Sequence, residues 1–184
     1  MDLKSAFESK MNLYQPNFSA YGLLTVGDIL YPLGQDTKVL STAFELIVRP
    51  LLYEIAKDHV LIIQEPESQN VYPDFTLMQD ANDPAKIAVD IKSAYRRMRR
   101  DGNWMTSFTL GSYTSFLRTG SKNIVFPYAQ YAEHWIIGFV YTRVDVRGGE
   151  RRYDLAERDK VLSPIRDVEY FVQEKHRIAS ERPG

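Results

Sequence analysis

Pro73-Asp74-Phe75-Thr76-Leu77-Met78 and Lys86-Ile87-Ala88-Val89-Asp90-Ile91-Lys92 are the two stretches on which the fold turns. Each is a short apolar run, and Gln79-Asp80-Ala81-Asn82-Asp83-Pro84-Ala85 between them is a turn-rich connector, so together they predict a β-hairpin. Side chains alternate along a strand, which puts Asp90 and Lys92 on one face and Ile91 on the opposite, apolar one. A hairpin brings Asp74 beside Asp90. Two carboxylates with a nearby lysine form an oxygen-ligand site suited to Mg²⁺, with the Ile91 backbone carbonyl close by.

Upstream, Val39, Leu40, Ala43, Phe44, Ile47, Val48, Leu51, Leu52 and Ile55 recur at three-and-four spacing and predict a helix from Thr37 to Lys57, bent or broken at Pro50. Glu45 falls on the flank of that stripe, from which it can reach a neighbouring cleft. Further β-prone runs are Val60–Gln64, Ile124–Phe126, His134–Val144 and Val168–Gln173. A helix is expected around Ser112–Leu117, and loop or short helix over Arg147–Lys160. Strands mixed with flanking helices give an α/β class with a mixed sheet. With no repeat, linker or low-complexity tract in its 184 residues, the chain reads as one domain, 1–184.

Composition narrows the chemistry. There are no cysteines, which excludes disulfides, thiolate zinc sites and a cysteine nucleophile; the 3 histidines are widely spaced, so any metal would sit on oxygen ligands. The N-terminus MDLKSAFESK carries no basic-then-apolar leader and no apolar stretch approaches a bilayer span, so a cytoplasmic, non-membrane protein is expected. The net charge of -1 hides a split: residues 1–85 carry 5 Lys/Arg against 12 Asp/Glu, whereas residues 86–122 carry 8 against 2. A carboxylate cluster beside a basic strip suits a phosphate-bearing partner.

Phosphodiester hydrolysis needs a divalent cation to polarise the phosphate and a cationic group near the attacking water, and carboxylates with a lysine supply both. An acid-x-Lys triplet is by itself unspecific, since Glu8-Ser9-Lys10 and Asp36-Thr37-Lys38 also carry it. Asp90-Ile91-Lys92 differs in ending an apolar strand with Pro73-Asp74 just upstream.

Longer segments add to the triplet. Tyr31-Pro32-Leu33-Gly34-Gln35-Asp36-Thr37-Lys38-Val39-Leu40-Ser41-Thr42, Gln69-Asn70-Val71-Tyr72-Pro73-Asp74-Phe75-Thr76-Leu77, Ile87 to Lys92, Phe108 to Phe116, Lys122 to Val125 and His134 to Gly138, in that order, resemble type II restriction endonucleases of the PD-(D/E)xK nuclease superfamily. The resemblance implies a restriction-endonuclease-like mixed β-sheet core flanked by helices. It also implies Mg²⁺-dependent cleavage of double-stranded DNA by a homodimer, at a palindromic GATATC-like site with blunt ends. It makes Asp74 and Asp90 the metal ligands, with Glu45 as an auxiliary acid, and gives Lys92 the attacking water and the charge on the phosphorane. Gln69 and Asn70 would lie in a minor-groove loop; Thr37, Lys38, Ser93, Tyr95, Thr114, Ser115 and Lys122 would approach the DNA backbone.

Two departures from the family pattern stand out. After Lys92 the chain reads Ser93-Ala94-Tyr95-Arg96-Arg97-Met98-Arg99-Arg100-Asp101-Gly102-Asn103-Trp104, where the family has two threonines and a shorter, less arginine-rich connector. Ala179-Ser180-Glu181-Arg182-Pro183-Gly184 stands where the family chain enters its major-groove recognition loop, so the expectation is a catalytic domain lacking that segment. The alternative function is a non-catalytic DNA-binding remnant of such an enzyme.

Overall fold

The computed structural model describes residues 1–110, 119–146 and 152–179. Its centre is a five-stranded mixed sheet in the order β10-β8-β5-β4-β3, built from β3 (Ile62–Gln64), β4 (Phe75–Met78), β5 (Lys86–Tyr95), β8 (Tyr131–Arg143) and β10 (Ile165–Glu174). The expected hairpin is present: β4 and β5 are antiparallel, with Phe75 opposite Val89, Thr76 opposite Ala88 and Leu77 opposite Ile87. β5 then runs parallel to β8, Asp90 beside Ile136 and Lys92 beside Gly138. Parallel neighbours are buried on both faces, which is why β5 and β8 read as near-continuous apolar runs.

One face of this sheet is covered by α1 (Leu3–Tyr14) and α2 (Thr37–Asp58). Leu40, Phe44, Val48, Leu52 and Ile55 of α2 join Phe75, Val89, Ile91, Ile137 and Phe139 in the core, and the Phe44 and Phe139 rings stack with centroids 4.8 Å apart. Asp36 caps α2, its carboxylate accepting from the N–H groups of Lys38 (2.8 Å) and Val39 (3.3 Å). The helix continues through Pro50 as one element. Val39 is 45% exposed, so the buried stripe begins one residue later than its spacing predicts, at Leu40. The periodicity of Leu3, Phe7 and Met11, all buried, forms α1, which the reading of the sequence omitted.

The other face is covered by loops. Gly138 of β8 lies directly under the Phe171 ring; a Cβ there would come within 2.2 Å of it, so only glycine admits this packing. The expected strand over Ile124–Phe126 reduces to an isolated bridge between Ile124 and Tyr72.

Smaller elements flank the main sheet: a three-stranded sheet β1-β2-β9 (Gly22–Leu24, Ile29–Pro32, Tyr153–Asp154) and a hairpin of β6 (Arg97–Met98) with β7 (Trp104–Met105). A 3-10 helix spans Leu155–Lys160, and a short helix α3 (Lys175–Ile178) follows β10. The helix expected around Ser112–Leu117 lies outside the described residues. Among those residues no helix is long and apolar enough to cross a membrane.

Candidate active site

β4 begins at Phe75, opposite Val89, so from Asp90 onward β5 has no neighbour on that side. This free edge is the floor of a cleft lined by Glu45, Gln69, Asp74, Ile91, Lys92, Ser93 and Tyr95. A sheet edge exposes unpaired backbone groups that need partners, and here Asp74 provides one: the Ile91 N–H donates to its Oδ2 at 2.6 Å. On the next peptide, the Lys92 ammonium donates to the Ile91 carbonyl (3.2 Å) and pairs with Asp90 Oδ1 at 2.8 Å. Asp74 Oδ1 and Asp90 Oδ2 are not used by these contacts.

Burial and repulsion set the electrostatics. Desolvation first, and the neighbouring Asp90 second, push the Asp74 carboxyl up to about 7. Burial also raises Glu45, despite the opposing pull of Lys92. Burial works against the Lys92 charge, yet Asp90 and Asp74 outweigh it and hold its pKa above the ordinary lysine value. Two carboxylates whose charges repel each other in a buried site are hard oxygen donors that fit a divalent cation. The structure does not gather Glu45 with the two aspartates: among the described residues no three His, Asp or Glu side chains converge. Glu45 lines the same cleft from α2, within electrostatic reach of both Asp90 and Lys92.

The other residues singled out in the sequence divide. Thr37, Gln69, Ser93 and Tyr95 line the cleft with the acidic pair. Lys38, Asn70 and Lys122 are exposed outside its lining, while Thr114 and Ser115 lie outside the described residues. Ser41 was missed; its hydroxyl meets that of Ser93 at 3.3 Å. The signal was available, because Thr37, Ser41 and Glu45 recur every four residues and form one face of α2 turned to the cleft.

Behind the carboxylates, on the loop-covered face, lies a second cluster that sequence reasoning also missed. The Tyr72 hydroxyl meets His134 Nδ1 at 2.8 Å, Tyr128 stacks on His134 at 4.6 Å, and the buried Lys175 ammonium lies 4.4 Å from the Tyr72 ring centroid. Burial, with Lys175 adding to it, depresses His134 to about 4, so its ring is neutral near pH 7.

Two aspartates and a lysine at the free edge of a central strand, in a mixed sheet backed by helices, define the restriction-endonuclease class of α/β nucleases. The family model described as "Restriction endonuclease EcoRV" matches residues 15–184. The type II restriction enzyme EcoRV of Escherichia coli is 45% identical over 175 residues, covering 94% of this chain and 70% of that enzyme. The chain belongs to the EcoRV family of type II restriction endonucleases.

Proposed function

We propose that this chain is a Mg²⁺-dependent endonuclease that hydrolyses phosphodiester bonds in double-stranded DNA as a cytoplasmic homodimer, cutting a palindromic GATATC-like site to blunt ends. The observation that carries the reading is the meeting of Asp74, Asp90 and Lys92 at the open edge of β5. The family likeness supports the palindromic site and the blunt ends.

Asp74 and Asp90 would hold the cation through the oxygens their protein contacts leave over, with the Ile91 carbonyl and Glu45 alongside. When bound, Mg²⁺ would polarise the phosphoryl group and make water a better nucleophile. Lys92, anchored between Asp90 and the Ile91 carbonyl, keeps an ammonium facing the cleft, where it orients the attacking water and offsets charge building on the phosphoryl oxygens. Glu45, with its proton affinity raised by burial, is placed to exchange a proton with that water. Thr37, Lys38, Ser93, Tyr95, Thr114, Ser115 and Lys122 act on the DNA backbone, and Gln69 with Asn70 on the minor groove.

A palindrome is read by two identical half-sites, and each copy then cuts one strand. The β1-β2-β9 sheet supports a second copy: Leu23, 64% exposed, stands opposite Tyr31, 45% exposed, across the β1–β2 pair. Incubation with supercoiled plasmid and Mg²⁺ tests the reading. Wild type should linearise the plasmid and Asp90→Ala should leave it supercoiled; equal cutting by the variant would refute the assigned site.

A further inference from the structure

The arginine-rich connector after β5 does not behave as one charged patch. Arg96 turns into the fold: its guanidinium donates to the Asp167 carbonyl at 2.6 Å and the Thr142 hydroxyl at 3.3 Å, and pairs with Glu169 at 2.9 Å. Arg99 and Arg100 stand exposed at the turn of the β6–β7 hairpin. Across that hairpin Met98 faces Trp104, 62% and 59% exposed, whereas Arg97 and its partner Met105 occupy the opposite face and line the catalytic cleft.

Arg97 has company. Its guanidinium carbon lies 4.6 Å from the centroid of the Tyr95 ring, and that of Arg143 lies 4.3 Å from the same centroid. The strand period of two builds this arrangement: Tyr95 sits beside Tyr141 in the parallel β5–β8 register, and each tyrosine is followed two residues later by one of the arginines. Among the described residues no carboxylate pairs with Arg97 or Arg143, whereas Lys92 is taken by Asp90 and Arg96 by Glu169. A tyrosine face attracts a guanidinium by about 0.5–2 kcal/mol, but two such cations on one ring repel each other. An anion bound by both would remove that repulsion, and a planar donor fork matches two phosphate oxygens.

Tyr95 lies five positions along β5 from Asp90, roughly 16 Å at a strand's rise per residue, so the anion cannot be the phosphate being cut. We propose that Arg97 and Arg143, seated on Tyr95, form a phosphodiester-binding site that grips the DNA backbone at a phosphate flanking the scissile one. The inference rests on the endonuclease reading and assigns it an anchoring point outside the hydrolytic residues.

The test is equilibrium binding of duplex DNA by the full chain, without divalent cation, across a series of salt concentrations. Each phosphate neutralised contributes about 0.9 to the slope of log K against log salt. Arg97→Ala, Arg143→Ala and the double variant should each lower that slope by about 0.9, because the two arginines serve one phosphate, with affinity down about ten- to a hundredfold at moderate salt. Arg97→Lys should keep the slope and lose affinity, since its charge remains while the stacked fork is gone. Lys4→Ala on α1 serves as the charge control and should change nothing. Unchanged slopes in both alanine variants, with wild type binding normally, would overturn the phosphate site alone. Failure of wild type to bind duplex DNA at any salt would overturn the endonuclease reading as well.

Discussion

The two halves of β5 belong to one strand and meet opposite surroundings. Ile87 to Val89 run between β4 and β8, paired on both sides, and the side chain of Lys86 just before them is fully buried, its ammonium donating to the Asp83 carbonyl (2.6 Å) and to Gln130 Oε1 (3.0 Å) over the Phe126 ring. Asp90 to Tyr95 keep only β8 as a strand neighbour, and Lys92 pairs with Asp90 at the edge of a cleft that Asp74 also lines. Two lysines six positions apart thus have different tasks. The Lys86 ammonium is satisfied by neutral oxygens that close a turn, while Lys92 is held by Asp90, an acid that has an oxygen to spare for a ligand. What separates structure from chemistry here is where β4 begins.

Substitutions in each half should sharpen that contrast. In the open half, Asp74→Asn should slow plasmid cleavage by at least about a thousandfold, the scale of a lost electrostatic stabiliser, in initial rates of nicking at saturating DNA. Lys92→Ala should cost about a hundredfold or more in kcat with little change in the KM for duplex DNA, since it acts on the reacting phosphate. In the closed half, Leu77→Ala should cost about 2–5 kcal/mol of stability in urea denaturation while the cleavage rate per folded molecule stays within about twofold. Lys86→Met should destabilise by about 1–3 kcal/mol through the carbonyl and amide it leaves unpaired, again sparing the rate. A Lys86 variant that folds well and cannot cut would break the division between the halves.

The smallest effect is one of pH. Asp74 titrates near 7 in the metal-free fold and near 4 when unfolded, so the folded state binds the proton more tightly. Its stabilising contribution is complete below about pH 4 and is lost as pH rises through about 7. His134, depressed to about 4, works in reverse, losing its contribution as pH falls from about 6.5 to 4. Between pH 4 and 7 in chelator these two contributions oppose each other in wild type, whereas only that of His134 remains in Asp74→Asn, so the melting temperature of Asp74→Asn should rise with pH relative to that of wild type.

The sequence carried the parts of this arrangement that depend on local pattern. The hairpin followed from apolar runs around a turn-rich connector, and α2 from its three-and-four spacing, so Asp74, Asp90 and Lys92 could be placed together from the chain alone. Three features depend on contacts distant in sequence and left no local signal. Ile124 bridges to Tyr72 across 52 positions, Lys175 meets Tyr72 from beyond β10, and Arg143 reaches Tyr95 only because β5 and β8 are parallel neighbours. The charge split was visible as a count, but the division of labour among Arg96, Arg97, Arg99 and Arg100 was not, since alternation in a two-residue strand such as β6 is too short to read. Ser41 was legible in hindsight from its spacing to Thr37 and Glu45.

Calorimetric titration of Mg²⁺ into the metal-free chain at pH 7, in two buffers of different ionisation enthalpy, tests the central claim most directly. Wild type should bind one cation per chain and release protons as it does so, because Asp74 is partly protonated there, and Asp90→Asn should lose the binding. Binding of equal affinity in the Asp90→Asn chain, or cleavage by a wild type that takes up no cation, would contradict the account.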